Sequence, residues 1–536
     1  MKSIASFLCL GAWILSGCGS GHETSSTRIE TREGPVEGVI EAGLMAFKGI
    51  PYAQAPVGAL RWQAPQKPLR RQQVLSANTY ASACIQTTSS AAGTTTPATE
   101  GPAELAGAFP PPASASEDCL YLNVFKPAAA SAGARLPVLV YVHGGAFTQG
   151  SGEGDFSALV QQGVLVVSIN YRLGALGYLV DSEIAKGDSQ AAFGNFGLRD
   201  QIAAIDWVHD NIAAFGGDPQ RMTYWGTSAG ATSGFSVLQS PLSKGLLAAA
   251  VLQSGGGGSY SNPSIEQSAK AGSALVKKLQ CDSAPDRAAC LRAVPAADIL
   301  AAQDNVRWRP TVDGVVLTHA PAQAFESGNF NHVPVILGGV RDEGTLFSTP
   351  ALPASYYASA VSSLISLSGA SAETALHDYP LSAFSSPGMA FARVQGDALY
   401  ACGNAARGDA LSRWVPVYSY EFTDPAKSFP AEPAAYYYGT FHGYDSLYWF
   451  GTRNAATVDA QRLSLQNAML EYLLQFIRTG NPNRQEGTQV PWPRYSQSSP
   501  TVQALTIPQI APRTDFKAVH RCDSTWAAPQ LPAGFF

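Results

Sequence analysis

Five short apolar runs constrain this chain more than anything else in it: "LPVLVYV" (136–142), "GVLVVSINY" (163–171), "AAAVLQS" (248–254), "HVPVILGG" (332–339) and "VPVYSYEF" (415–422). Apolar side chains at successive positions need cover on both faces of a strand, as a parallel sheet between helices provides. The stretches between them carry a different period. Leu198, Ile202, Ile205, Val208, Ile212 and Phe215 step by 4, 3, 3, 4 and 3 residues, one face of a helix closed by Gly216-Gly217. A second long helix is expected over 459–478, ended by Gly480 and Pro482. Strands alternating with helices predict an α/β fold, a large mainly parallel central sheet with helices on both faces.

The bulk of the chain supports such a core. Of 536 residues 46% are apolar, and only 14% are charged, with 35 Lys+Arg against 40 Asp+Glu. There is no basic run and no interleaved arginine and aromatic patch, so nucleic acid is not an expected partner. The chain opens "MKSIASFLCLGAWILSGCGS": one lysine, a short apolar run, then Leu15-Ser16-Gly17-Cys18. The run is too short to span a bilayer and fits a signal peptide, residues 1–17. Leu-Ser-Gly-Cys matches a bacterial lipobox, in which Cys18 is lipidated and becomes the new N-terminus. Residues 18–28 then read as a lipidated tether, small and polar, and 29–536 as a single domain. The expected location is outside the cytoplasm of a bacterium, as a periplasmic or outer-membrane lipoprotein. The lipid is the expected membrane contact, since several acyl chains anchor stably.

Cysteine usage agrees with export. Setting aside Cys9 and Cys18 leaves Cys84, Cys119, Cys281, Cys290, Cys402 and Cys522, an even set that implies three disulfides in an oxidising compartment. Spacing alone does not pair them. No CxxC or His/Cys pair has metal-ligand spacing, so neither metal nor cofactor is expected. Residues 87–116, rich in Ala, Thr, Ser and Pro, are the one low-complexity segment, and read as a surface loop (85–118) stapled between Cys84 and Cys119.

"YWGTSAGATSG" (224–234) places Ser228 in Gly-x-Ser-x-Gly. With 51 glycines in the chain such a pattern arises easily by chance, so its context decides. "RMTYWG" before it reads as a strand and "SAGATSGFSVLQ" after it as a helix. Gly-x-Ser-x-Gly at a strand-to-helix turn is the nucleophile elbow of the α/β-hydrolase fold. Side chains at 226 and 230 would collide with so tight a turn. Earlier, "VYVHGGAFTQG" (140–150) ends a strand in His143-Gly144-Gly145-Ala146, the loop type that supplies an oxyanion hole. The expected donors are the amides of Gly145, Ala146 and Ala229, each worth ~3 kcal/mol in a transition state.

Chain order in this fold is nucleophile, acid, histidine. "VPVILGGVRDEGTLF" puts Asp342 and Glu343 after a strand, and Asp313 in "PTVDGVVL" is a third candidate; chain order does not choose among them. Three histidines come later. His377 precedes Asp-Tyr-Pro and His520 sits two residues before Cys522, positions that read as structural. His442, in the Gly-bounded aromatic loop "YYYGTFHGYDSLYWF", suits an imidazole lifted into a pocket.

These residues belong to a wider pattern. "FKGIPYAQAPVGALRWQAP", "SEDCLYLNVFKP", "HGGAF", "NYRLGALGY", "GTSAGA", "LQSG", "RDEGTLF", "FHGYD", "RTGNPN" and "PWPRY" follow one another between about residues 29 and 522. The chain resembles the type-B carboxylesterases, the family of cholinesterases and para-nitrobenzyl esterases. The resemblance implies Glu343 as the acid, disulfides Cys84–Cys119, Cys281–Cys290 and Cys402–Cys522, and ion pairs Arg61–Glu117 and Arg172–Asp200. Two departures stand out. Thr227 replaces the glutamate that usually precedes the nucleophile. The cysteine loop lacks the tryptophan that holds a quaternary ammonium in cholinesterases, and its only aromatic is Phe109.

The sequence thus predicts a serine carboxylesterase acting on neutral esters through an acyl-enzyme. Ser228 is the expected nucleophile, His442 the base and then acid, and Glu343 its orienting partner. Tyr436, Tyr437, Tyr438 and Trp449 are expected to line the pocket near His442. The competing reading is a non-catalytic binding or adhesion protein on the same fold, which would commonly lack the nucleophile.

Overall fold

The computed structural model describes residues 27–86, 109–188, 192–256, 262–303, 306–365, 370–424, 437–452, 458–486 and 489–527. Cys18, the tether to residue 26, most of the low-complexity loop, and Tyr436 lie outside the described residues.

Each apolar run becomes a strand. The main sheet has eleven: β1 (Val39–Glu41), β2 (Leu44–Pro51), β3 (Tyr121–Pro127), β4 (Leu136–Val142), β5 (Leu165–Ile169), β6 (Gly217–Thr227), β7 (Ala249–Gln253), β8 (Val335–Val340), β9 (Val417–Thr423), β10 (Val502–Thr506) and β11 (Ala511–Arg513). Their order is β11-β10-β9-β8-β7-β6-β4-β5-β3-β2-β1. From β10 to β5 every neighbouring pair is parallel. The flanks, β11 on one side and β3, β2 and β1 on the other, are antiparallel. The sheet is therefore mixed, with the expected parallel run at its centre.

Alternation along β4 shows why the runs are apolar throughout. Val138, Val140 and Val142 face one core, while Leu139 and Tyr141 face another across the sheet. Helix α1 (Phe196–Asn211) contributes Leu198, Ile202 and Ile205 to the first core, and Gly216 in the left-handed region (φ 94°) stops the following turn. Helix α2 (Ala229–Gln239) follows β6. Helices α3 (Pro387–Gly396) and α4 (Cys402–Leu411) come later. Helix α5 (Ala460–Thr479) lays Leu465, Met469, Tyr472 and Phe476 on the second core and ends at Gly480 (φ 73°).

Three disulfides, Cys84–Cys119, Cys281–Cys290 and Cys402–Cys522, have the pairing the resemblance implies. So do the ion pairs. Arg61 holds Glu117 with two bonds of 2.7 and 2.6 Å, and Arg172 holds the buried Asp200 with two of 2.7 Å. Such paired guanidinium–carboxylate contacts let a charge sit in the interior.

Candidate active site

The carboxyl ends of β4, β6, β7 and β8 lie side by side, the usual place for a site in a parallel sheet. Ser228 caps α2 directly after β6, with φ 57° and ψ −118°, a conformation few residues other than glycine adopt. Its amide donates to Gln253 O at 2.9 Å, which holds the turn against β7. The glycines are sterically required. A Cβ at 226 would lie 2.2 Å from Gly230 O, and one at 230 would lie 2.1 Å from Val142 O.

The loop after β4 runs against Ser228. A Cβ on Gly144 would come within 2.9 Å of Ser228 Cβ. Gly145, Ala146 and Phe147 all take positive φ (93°, 54° and 64°). Among the described residues no acceptor binds the amides of Gly145, Ala146 or Ala229. His143 braces this loop: its ring stacks on Tyr171 at 4.4 Å, and its Nδ1 meets Gly144 O at 2.8 Å. Burial pulls the His143 pKa down to about 4, so it stays neutral and adds no charge to the loop. Gln86 pairs with Gly150 in both directions, at 2.9 and 2.8 Å, which ties the Cys84–Cys119 staple to the same loop.

The three acid candidates separate cleanly. Asp313 caps its own turn, accepting from the amides of Val315, Val316 and Leu317. Asp342 turns to the backbone and accepts from Thr440 N at 2.8 Å. Glu343, in the short turn Glu343–Leu346 after β8, meets His442 Nδ1 at 2.5 Å through Oε2, while its Oε1 accepts from Val340 N at 3.0 Å. Glu343 and His442 are both buried. Nε2 of His442 has no hydrogen-bond partner among the described residues, Ser228 Oγ included. Unliganded sites often hold this contact long, so it does not argue against the pair. His520 is buried elsewhere, between Asp397 and Glu421 at 2.5 and 2.7 Å. His377 is exposed. Both fit the structural reading.

Where a glutamate usually stands, Thr227 donates to Gln253 Oε1 at 2.8 Å. Gln253 Nε2 in turn donates to Asp445 at 2.7 Å and to Ser446 at 2.8 Å. Asp445 also accepts from Tyr420 at 2.8 Å. Burial, and then the nearby Glu343 charge, push the Asp445 pKa up to about 6. Ser254, the residue after Gln253, has a buried Oγ that finds no hydrogen-bond partner among the described residues and lies close to Glu343: a Cβ on Gly339 would touch both.

The pocket aromatics differ from those expected. Trp449 is fully buried in the second core against Trp225 and Tyr420, so its ring faces that core and not the open side of His442. Tyr437 is exposed, and Tyr438 packs on that core. Phe109 stacks on Tyr141 at 5.8 Å and meets Phe450 edge-on at 5.2 Å, and so closes an aromatic cluster rather than a cation site. The rings that do touch His442 are Phe347 at 4.9 Å and Tyr400 at 5.0 Å. Phe347 could have been noticed, since it lies four residues past Glu343. Tyr400 comes from the turn between α3 and α4 and carried no local signal.

An elbow serine after the central strand, a glycine loop beside it and a Glu–His pair from two later loops define an α/β-hydrolase. The chain belongs to the carboxylesterase family, whose model matches residues 25–521, and it is a carboxylic ester hydrolase. It is 34% identical to the para-nitrobenzyl esterase of Bacillus subtilis (strain 168) over 495 residues, covering 88% of this chain and 93% of that protein. It is 33% identical to the fumonisin B1 esterase of Sphingopyxis macrogoltabida over 491 residues, covering 87% and 84%. A solved para-nitrobenzyl esterase structure superposes with a TM-score of 0.78 at 31% identity, covering 93% of this chain and 99% of the other.

Proposed function

We propose that Ser228, His442 and Glu343 carry out the hydrolysis of neutral carboxylic esters as a triad. The observation that carries this reading is the Glu343–His442 contact at 2.5 Å, on loops that converge beside the elbow. His442 takes the Ser228 proton as Oγ attacks the ester carbonyl, then returns it to the leaving alcohol. Glu343 fixes the tautomer and stabilises the imidazolium. The amides of Gly145, Ala146 and Ala229 receive the oxyanion, and water repeats the cycle on the acyl-enzyme. No metal or cofactor enters any step. A non-catalytic binding role is disfavoured because the nucleophile, base and acid are all present.

The preference for neutral aryl or short alkyl esters over choline esters is supported by the place of Phe109, packed away, and by the lack of a tryptophan in that loop. A desolvated cation–π contact contributes about 2 kcal/mol or more, and the one aromatic of that loop, Phe109, is engaged by Tyr141 and Phe450 instead. Export and lipidation at Cys18 are supported by the lipobox and by the disulfides. A fluorophosphonate probe should label Ser228 and no residue of Ser228→Ala. The neutral isostere 3,3-dimethylbutyl acetate should be hydrolysed at least as well as acetylcholine by kcat/KM. Absence of labelling removes the nucleophile, and a clear advantage for acetylcholine removes the neutral-ester reading.

A further inference from the structure

We infer that Gln253 is a positioning residue for this site: its side-chain amide fastens the elbow of Ser228 to the loop of His442 and so sets nucleophile and base in register. The inference rests on the catalytic reading above and adds a residue to it.

Gln253 ends β7, directly beside the elbow. In the parallel pairing of β6 with β7 it stands opposite Thr227, and its backbone oxygen accepts from the Ser228 amide at 2.9 Å. Side chains alternate along a strand, so Leu252 joins the first core while Gln253 shares the face of Val251, which lies in the second. A buried amide in such surroundings is costly unless its polar atoms are paired. Here they are paired to capacity. Oε1 accepts from Thr227 Oγ1 at 2.8 Å and from Trp225 Nε1 at 3.1 Å. Nε2 donates to Asp445 Oδ1 at 2.7 Å and to Ser446 Oγ at 2.8 Å. Both lone pairs and both N–H groups are then in use. The direction of the amide is fixed as well, because an indole N–H only donates and a carboxylate only accepts.

Each end of this amide lands on a part of the catalytic geometry. Trp225 and Thr227 are the end of β6, just before Ser228. Asp445 lies three residues past His442. Its Oδ2 accepts from Tyr420 on β9 at 2.8 Å, and its backbone oxygen accepts from Tyr448 and Trp449 at 3.0 Å, at the start of the short helix Ser446–Trp449. Between His442 and that helix the chain is tightly turned: Tyr444 N donates to Phe441 O at 3.0 Å and Ser446 N to Gly443 O at 3.1 Å. A shift of Asp445 would therefore carry His442 with it. Burial and then the Glu343 charge push the Asp445 pKa up, and the donors on Tyr420 and Gln253 act against that rise, so the amide helps to keep its own anchor ionised. Glu343 orients the imidazole ring, whereas Gln253 relates the loop that bears the ring to the elbow. That relation matters because a misplacement of about 1 Å between reacting groups can cost on the order of 100-fold in rate.

The test follows 4-nitrophenyl acetate hydrolysis by the purified full chain, with kcat counted per Ser228 titrated to completion with a fluorophosphonate, so that unfolded molecules drop out of the rate. Gln253→Met keeps the length of the side chain and loses its hydrogen bonds. Gln253→Glu keeps the acceptor for Trp225 and Thr227 but turns a carboxylate toward Asp445. Combining Gln253→Glu with Asp445→Asn exchanges donor and acceptor between the two positions and keeps the net charge of the parent. The expected result is that kcat per titrated site falls on the order of tenfold or more in Gln253→Met and in Gln253→Glu, with KM within about threefold of the parent. The double variant should regain about half or more of the loss of Gln253→Glu, counted in log kcat. A residue that only supports the fold would lower the number of titratable sites and leave kcat per site where it was. Unchanged kcat per site in the single variants, or a double variant no better than Gln253→Glu, would overturn the role. Where Gln253→Met does not fold, Gln253→Glu and the double variant decide by the same criterion. Absence of both labelling and turnover in the parent protein is a different outcome, which sinks the catalytic reading itself.

Discussion

Replacing Glu343 by Gln and Asp342 by Asn, one at a time, separates two adjacent acids that chain order left equivalent. Glu343 uses both carboxylate oxygens as acceptors, Oε2 for His442 Nδ1 and Oε1 for Val340 N. Glutamine has one acceptor and one donor there. If its oxygen keeps His442, its NH2 faces the Val340 N–H, and if it keeps Val340, it offers a donor to the imidazole. Either arrangement leaves a buried donor unmet, at a cost of about 1–3 kcal/mol. The second also favours the wrong tautomer of His442, and loss of the orienting acid in a triad costs on the order of 10³–10⁴ in kcat. Asp342 makes a backbone contact that asparagine can keep through its remaining oxygen, so Asp342→Asn should hold kcat within about threefold.

The assay is kcat/KM with 4-nitrophenyl acetate, alongside urea denaturation to show that each variant is folded. Fluorophosphonate labelling of Ser228 should slow in parallel with turnover in Glu343→Gln. The reasoning fails if Asp342→Asn is the more damaging change, or if Glu343→Gln keeps more than about a tenth of the activity.

Other expectations follow from the same contacts. Ser228→Ala and His442→Ala should each remove most turnover, and the double variant should be little worse than either, because triad members act as a unit; additive losses measured by kcat would contradict this. Cys18→Ser should release active enzyme from the membrane fraction, and equal retention of parent and variant would remove the lipid anchor. His520→Gln should destabilise the fold more at about pH 5.5 than at about pH 9, read from urea midpoints. Burial lowers the His520 pKa, but hydrogen bonds and charge from Asp397 and Glu421 outweigh it and the net shift is upward. A raised histidine contributes fully below its unfolded pKa of about 6.5 and loses that contribution as pH rises through its folded value, so equal losses at both pH values would refute the paired-charge account.

The central strands were legible because their chemistry is local: an apolar run such as 136–142 must be covered on both faces, and β4 occupies those residues. The antiparallel flanks were less so, since β2 and β3 pair through contacts about 75 residues apart whose register no periodicity announces. Ser228, the glycines around it and His442 could be read from spacing because the elbow and loop impose steric rules on neighbours in sequence. The choice of Glu343 over Asp342 depended on which way two adjacent side chains turn, which is set by Thr440 and His442 about a hundred residues later. Trp449 was misplaced for the same reason: seven residues from His442, it looked like a pocket residue, but its indole is claimed by the core and by Asp445. Tyr400 became visible only when a distant segment was brought against His442.

Charge in this site is graded from its floor to its opening. Glu343 sits at the base with the imidazole, and Asp445, held by Gln253, Tyr420 and Trp449, lies behind it with a pKa of about 6. With Thr227 in place of a glutamate, the residue next to the nucleophile carries no charge, and the loop histidine at 143 is neutral as well. The negative charge therefore lies behind His442, where it would favour the imidazolium that the proposed mechanism requires. The rings that meet His442, Phe347 and Tyr400, are neutral. A neutral ester meets apolar rings there. The departure at 227 thus takes one charge away from beside Ser228, in keeping with the proposed preference for neutral esters.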